Sequence, residues 1–203
     1  VTSFRKIGLT GGIGSGKSEA AKLFSENGIR VVDLDKVGKE LTDSDPSVQT
    51  AIVSLFGPEI LKNGLIDRAR VRALVFADPH LKKKLEQIIQ PKVRKVFEEL
   101  CESWRKTGHN LIICEAALLI ESGYRQTLDE LIVVMASPEV RLQRILQRDK
   151  ISPVLAQQML NAQVTDSDRL KAATYLLKNE KDLSELRTQV NALVQKWKQE
   201  GLV

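Results

Sequence analysis

The chain has 203 residues, 42% of them hydrophobic, with 31 basic against 26 acidic side chains and a net charge of +5. This length and balance suit one globular domain with appendages, or a core carrying inserted lobes, and exclude a disordered or fibrous chain. No apolar run approaches the ~20 residues that cross a bilayer, and the first residues lack the basic-then-apolar order of a secretory signal, so a cytoplasmic protein with no membrane partner is expected.

The first segment, Phe4 to Thr10, reads as a strand, and Ala20, Ala21, Leu23 and Phe24 give the apolar face of a following helix that Asn27-Gly28 closes. Between them lies Gly11-Gly12-Ile13-Gly14-Ser15-Gly16-Lys17-Ser18, a full match to G-x-x-x-x-G-K-[ST]. Strand, glycine-rich loop and helix in that order make a phosphate-binding loop. The glycines let backbone N–H groups from Gly12 to Ser18 curl around phosphate oxygens, and the helix N-terminus adds partial positive charge. Lys17 is expected to reach the terminal phosphates and Ser18 to ligate Mg²⁺. The sequence therefore predicts a nucleoside triphosphate site.

A second strand is expected at Ile29 to Asp33. Ligands of an open parallel sheet collect at the carboxyl ends of its strands, where Asp33 could accept a proton from an attacking hydroxyl. If the backbone stays extended, Asp35 faces the same way. The segment from Asp35 to Gly108 reads as a mostly helical insertion, with turns at Phe56-Gly57-Pro58 and Lys62-Asn63-Gly64. Apolar residues at helical spacing run from Leu81 to Trp104, and Pro91 is expected to kink or split that helix. Basic residues concentrate between His80 and Lys106, as a solvated face or an anion-attracting surface; no aromatic side chains interleave with them as a nucleic-acid groove would require.

Leu111 to Glu115 and Leu131 to Met135 are continuous apolar runs, the pattern of strands buried on both faces, and Thr174 to Leu177 is a weaker one. Glu115 ends its run as an acid after buried positions, which suits a carboxylate near Mg²⁺. Ser137-Pro138 and Ser152-Pro153 each offer an N-cap serine with proline at the first helical position. The first of these helices carries Arg141, Arg144 and Arg148 on one face; on a closing lid, Arg148 and then Arg144 are the favoured partners of a transferring phosphoryl group. The second helix is expected from about Val154 towards Arg169. The last presents Leu183, Leu186, Val190, Leu193, Val194 and Trp197 to the core. Cys101 and Cys114 read as small buried hydrophobes, and His80 and His109 have no partner at metal-ligand spacing.

Together these elements predict an α/β fold: a three-layer sandwich around a parallel sheet, with an inserted helical lobe and a helical lid. The expected divisions are a nucleotide-binding core at 1–34, 109–136 and 171–203, the helical lobe at 35–108, and lid helices at 137–170. The sequence resembles the dephospho-coenzyme A kinase family, on Leu9 to Ser18, Val32-Asp33-Leu34-Asp35, Ile66-Asp67-Arg68 leading into Val75-Phe76, Glu115-Ala116-Ala117-Leu118-Leu119-Ile120-Glu121, Ser137-Pro138-Glu139, Arg144 to Asp149, Gln163 and Asn179. The resemblance implies a P-loop kinase that moves the γ-phosphoryl group of ATP, with Mg²⁺, to the ribose 3′-hydroxyl of dephospho-coenzyme A. It implies Asp33 as the base, Lys17 as a stabiliser of the transferring group, Arg148 and Arg144 as lid residues near the nucleotide, Asn179 as a nucleotide-site residue, and the insertion as the acceptor lobe. Two positions depart from the family's usual pattern: Glu115-Ala116-Ala117 stands where Asp-x-Pro is common, and Gln90-Pro91 where His-Pro is frequent. A nucleoside or nucleotide kinase of similar layout is the alternative. A GTPase is disfavoured because Asp35-Lys36-Val37-Gly38 follows the loop too closely and Asn179-Glu180-Lys181-Asp182 is not N-K-x-D.

Overall fold

The apolar runs of the sequence occupy the interior of a parallel sheet, as two-sided hydrophobicity requires. The computed structural model describes residues 4–203. In chain order the elements are β1 (Arg5–Gly11), α1 (Lys17–Glu26), β2 (Val31–Asp33), α2 (Leu34–Ser44), α3 (Pro46–Phe56), β3 (Leu61–Lys62), β4 (Leu65–Ile66), α4 (Arg68–Ala77), α5 (Pro79–Lys106), β5 (Leu111–Glu115), β6 (Glu130–Met135), α6 (Pro138–Asp149), α7 (Pro153–Asn161), α8 (Asp166–Ala172), β7 (Tyr175–Lys178) and α9 (Leu183–Gln199). They fall into two units, one of residues 4–33 with Ser103–Val203 and one of Leu34–Glu102.

The first unit is a five-stranded sheet in the order β2-β5-β1-β6-β7, parallel at each pairing. Ile7, Leu9, Leu111, Ile113, Ile132 and Val134 pack on one face against Phe24 of α1 and Leu186, Val190, Val194 and Trp197 of α9. Trp197 is fully buried, stacked on Phe24 with ring centroids 5.6 Å apart and edge-on to Tyr175 at 6.0 Å. Cys114 is buried in β5 and Cys101 in α5. No helix among the described residues is long and apolar enough to cross a membrane.

The second unit closes a small core of Val48, Ile52, Phe56, Ile60 and Val71, onto which Leu81, Leu85, Ile88 and Ile89 pack. Two of its helices, α3 and α4, start on side-chain caps. Asp45 accepts the N–H groups of Ser47 and Val48, and the Ser47 hydroxyl above all holds its carboxyl below the usual aspartate range. Asp67 does the same for Ala69 and Arg70. Arg68 reaches back to Asp43 at 2.6 Å and to the Lys39 carbonyl at 2.8 Å. This contact accounts for the Asp67-Arg68 pair as local architecture.

Four local expectations are corrected. Pro91 does not split its helix: α5 runs unbroken through it. The carbonyl deprived of an amide partner is that of Gln87, and both Gln87 and Pro91 are exposed, on the side of the helix that water reaches. The helix expected from Val154 to Arg169 is two, because Thr165 caps a new start by accepting the Asp168 N–H. Ser152 caps α7 through the Leu155 N–H, whereas Ser137 makes no side-chain cap to α6. Finally, Leu34 already begins α2, so the extended geometry that would aim Asp33 and Asp35 alike ends at Asp33.

Replacing Trp197 with Ala removes the centrepiece of the α1–α9 face and is expected to cost about 3–5 kcal/mol. Urea unfolding monitored by circular dichroism should show the midpoint fall.

Candidate active site

β1 ends at Gly11 and α1 starts at Lys17, so residues 12–16 must reverse the chain within a few ångströms. Gly14 (φ 78°) and Gly16 (φ 93°) supply the left-handed backbone this needs. Gly16 caps α1 without a side chain, leaving the first amides of the helix open to an anion. A β-carbon at Gly14 would lie 2.8 Å from the Arg141 carbonyl oxygen, so glycine there is also what lets α6 approach the loop.

Lys17 Nζ lies 2.6 Å from Glu115 Oε1, and the Ser18 hydroxyl donates to the same oxygen at 3.1 Å. Glu115 is buried at the end of β5. Burial makes its charge dependent on the lysine beside it. Asp33 ends β2 directly opposite Glu115 in the strand register and is exposed.

A cleft of about 760 Å³ opens over the loop, lined by Gly12, Ile13, Gly14, Gly16, Lys17, Ser18, Ala117, Arg144, Gln147, Arg148 and Gln163. Arg144 donates to the Gly14 carbonyl at 3.4 Å and the Lys181 carbonyl at 3.3 Å. Arg148 is 62% exposed and bonded to Asp149 by two hydrogen bonds of 2.7 and 2.8 Å. Those bonds hold Asp149 below the usual carboxylate range and keep Arg148 more firmly protonated than a free guanidinium. The structure thus brings together Gly12, Ile13, Gly14, Gly16, Lys17, Ser18, Arg144 and Arg148 around one cavity, with Glu115 anchoring Lys17 and Ser18.

Three expected residues, Asp33, Asn179 and Ser15, stand elsewhere. Asp33 does not line this cleft. Asn179 is buried behind the loop, where its amide donates to the Ser15 carbonyl at 2.8 Å; Ser15 is itself buried. Its contact is with the loop's back, holding the peptide whose front faces the cleft. Sequence reasoning assigned no role to Gln163, whose Oε1 accepts the Ile13 N–H at 2.9 Å from the α7–α8 connection. The arginine stripe of α6 also divides: Arg141 is buried while Arg144 and Arg148 face the cleft.

The Ser18 hydroxyl in the cleft and the buried Glu115 carboxylate 3.1 Å from it suit a hard divalent cation that keeps water and phosphate ligands.

Comparison with known proteins gives a consistent picture. The dephospho-CoA kinase family profile matches residues 5–185. A dephospho-CoA kinase of Fusobacterium nucleatum is 41% identical over 181 residues, covering 89% of this chain and 92% of that protein. A crystal structure from Thermus thermophilus superposes with a TM-score of 0.82 at 31% identity, covering 96% of this chain and 98% of that one. The structure of dephospho-CoA kinase from Campylobacter jejuni gives 0.72 at 28% identity over 97% of this chain and 98% of that one.

Asn179→Ala leaves the buried Ser15 carbonyl without its donor. A stability loss of about 1–3 kcal/mol is expected, together with weaker ATP binding, read by chemical unfolding and by titration calorimetry on the folded variant.

Proposed function

The chain belongs to the dephospho-CoA kinase family, and from that membership we propose how its residues divide the work. It is an ATP-dependent kinase that phosphorylates the ribose 3′-hydroxyl of dephospho-coenzyme A, the last step of coenzyme A synthesis. The observation that carries the division of labour is the convergence of Lys17 and Ser18 on Glu115 at the floor of a cleft edged by Arg144 and Arg148.

In this reading the loop amides from Gly12 to Ser18 hold the phosphates of ATP. Lys17 turns its ammonium from Glu115 towards the phosphate oxygens, and Arg148, with Arg144 beside it, meets the charge that spreads over the transferring group. Arg148, itself exposed, exchanges its Asp149 partner for phosphate, a swap that this exposure makes inexpensive. Ser18 and Glu115 would hold Mg²⁺, which would supply neutralisation of phosphate charge. Asp33 takes the proton of the 3′-hydroxyl as that oxygen forms its bond to the γ-phosphorus. The bridging P–O bond to the β-phosphate breaks, and ADP leaves with the electron pair. Support for Asp33 is its place at a strand's carboxyl end, next to Glu115 in the register.

The insertion at 35–108 serves as the acceptor lobe and 137–170 as the lid. The acceptor is a small molecule, no nucleic-acid partner is involved, and the protein works in the cytoplasm.

Coupled ADP release with Mg²⁺-ATP tests the base directly. Asp33→Asn should lower kcat with dephospho-coenzyme A by about 10²–10⁴-fold, the range for general-base catalysis, while ATP affinity stays near wild type. Equal turnover by the variant would remove Asp33 from the mechanism. Turnover with adenosine or AMP in place of dephospho-coenzyme A would redirect the acceptor assignment.

A further inference from the structure

Two buried arginines on one half-buried carboxylate lie against the loop without a part in the chemistry above. Arg141 and Arg169 are 6% and 3% exposed. Both donate to one carboxylate: Arg141 Nη2 to Asp166 Oδ2 at 2.8 Å, and Arg169 Nη1 to Asp166 Oδ1 at 2.9 Å. Two guanidiniums on one carboxylate leave an excess of one positive charge. Arg141 Nε, also buried, makes no hydrogen bond among the described residues.

Stability does not account for this arrangement. Removing ions from water is costly unless every charge is paired, and even a well-made buried pair is commonly no better than apolar residues of the same volume. One arginine would balance Asp166; the second adds desolvation with no counter-ion of its own.

The location of the cluster suggests its purpose. A β-carbon on Gly12 would collide with Arg141 Nη1 and sit 3.3 Å from Arg169 Nη1. Both guanidiniums therefore lie directly against the backbone of the phosphate loop. The close approach of the Arg141 backbone to Gly14 fixes this turn of α6 to the same loop. Neither arginine lines the cleft, so their effect on a bound phosphate passes through the loop as a field.

We propose that Arg141 and Arg169, tied together by Asp166, are positioning residues that fix a positive charge behind Gly12 and bias the cleft towards the more highly charged nucleotide. This rests on the reading of the cleft as an ATP site. A buried charge is screened by salt far less than an exposed one, so this bias persists where that of Arg148 fades. Because each additional phosphate brings more negative charge, the cluster favours ATP over ADP, and so favours loading of substrate over retention of product.

The test is the ratio of ADP to ATP dissociation constants, measured by calorimetry with Mg²⁺ on the full chain and on Arg141→Gln, Arg141→Lys and Asp166→Asn. From the Coulomb energy of a unit charge at roughly 10 Å in an effective dielectric of about 20–50, Arg141→Gln should lower the ratio by about three- to seventeenfold, and Arg141→Lys should hold it within about twofold. Asp166→Asn removes negative charge and should raise the ratio even where it lowers stability. If Arg141→Gln and Asp166→Asn weaken ATP and ADP by the same factor, the cluster is a structural brace and the proposal falls. Failure of the wild-type chain to bind ATP would overturn the functional reading itself; an unchanged ratio in Arg141→Gln overturns only this inference.

Discussion

The contact between Lys17 and Glu115 sets the terms for the whole site. Both side chains are largely out of water, at 16% and 7% exposure, and neither ion is affordable there alone. The pair lets the fold keep an ammonium at the floor of a cleft, ready for an incoming phosphate. The same Glu115 oxygen takes the Ser18 hydroxyl, so one carboxylate orients the ammonium and the hydroxyl of the loop together. Where the family pattern commonly has aspartate, the extra methylene of glutamate still reaches both groups.

That pairing is possible because the sheet register brings distant segments to one edge. Leu9 of β1 pairs with Glu115 of β5, which pairs with Asp33 of β2. Two residues beyond Leu9, β1 runs out at Gly11 and the loop begins. The long apolar runs that bury β5 and β6 thus do more than build a core. They fix the height at which the carboxylates stand relative to the loop, through a register in which a slip of one residue would turn every side chain to the opposite face.

Much of this is legible in the sequence because its signals are local. The phosphate loop is a contiguous motif, and buried parallel strands write themselves as unbroken apolar runs. The helix of α9 follows from its spacing. What the sequence hides is carried by contacts between residues far apart in the chain. Asn179 reaches Ser15 across 164 positions, and Gln163 reaches Ile13 across 150; no periodicity encodes either. Proline at 91 reads as a break because the rule weighs the missing amide, whereas the cost depends on whether the orphaned carbonyl meets water. Asp35 shows the converse error, since Asp33 and Asp35 share a face only while the strand lasts, and α2 starts between them.

Helix α6 shows most clearly why residue type alone cannot assign function. Arg141, Arg144 and Arg148 follow one another at helical spacing and are chemically identical, yet they differ in what surrounds them. Arg148 is exposed, paired with its neighbour Asp149, and free to exchange that partner at little cost. Arg144 is half-buried and held by carbonyls at Gly14 and Lys181, which accept hydrogen bonds without neutralising its charge. Arg141 is buried and committed to Asp166, and only its field reaches the cleft. The close approach of one helix to the loop therefore sorts three equal charges by burial into one that is exposed, one that is held with its charge intact, and one that is fixed. The fixed one requires the shortest approach, and the absence of side chains at Gly12 and Gly14 is what permits it. The glycines of the loop thus serve two faces at once, admitting phosphate on one side and the arginine helix on the other.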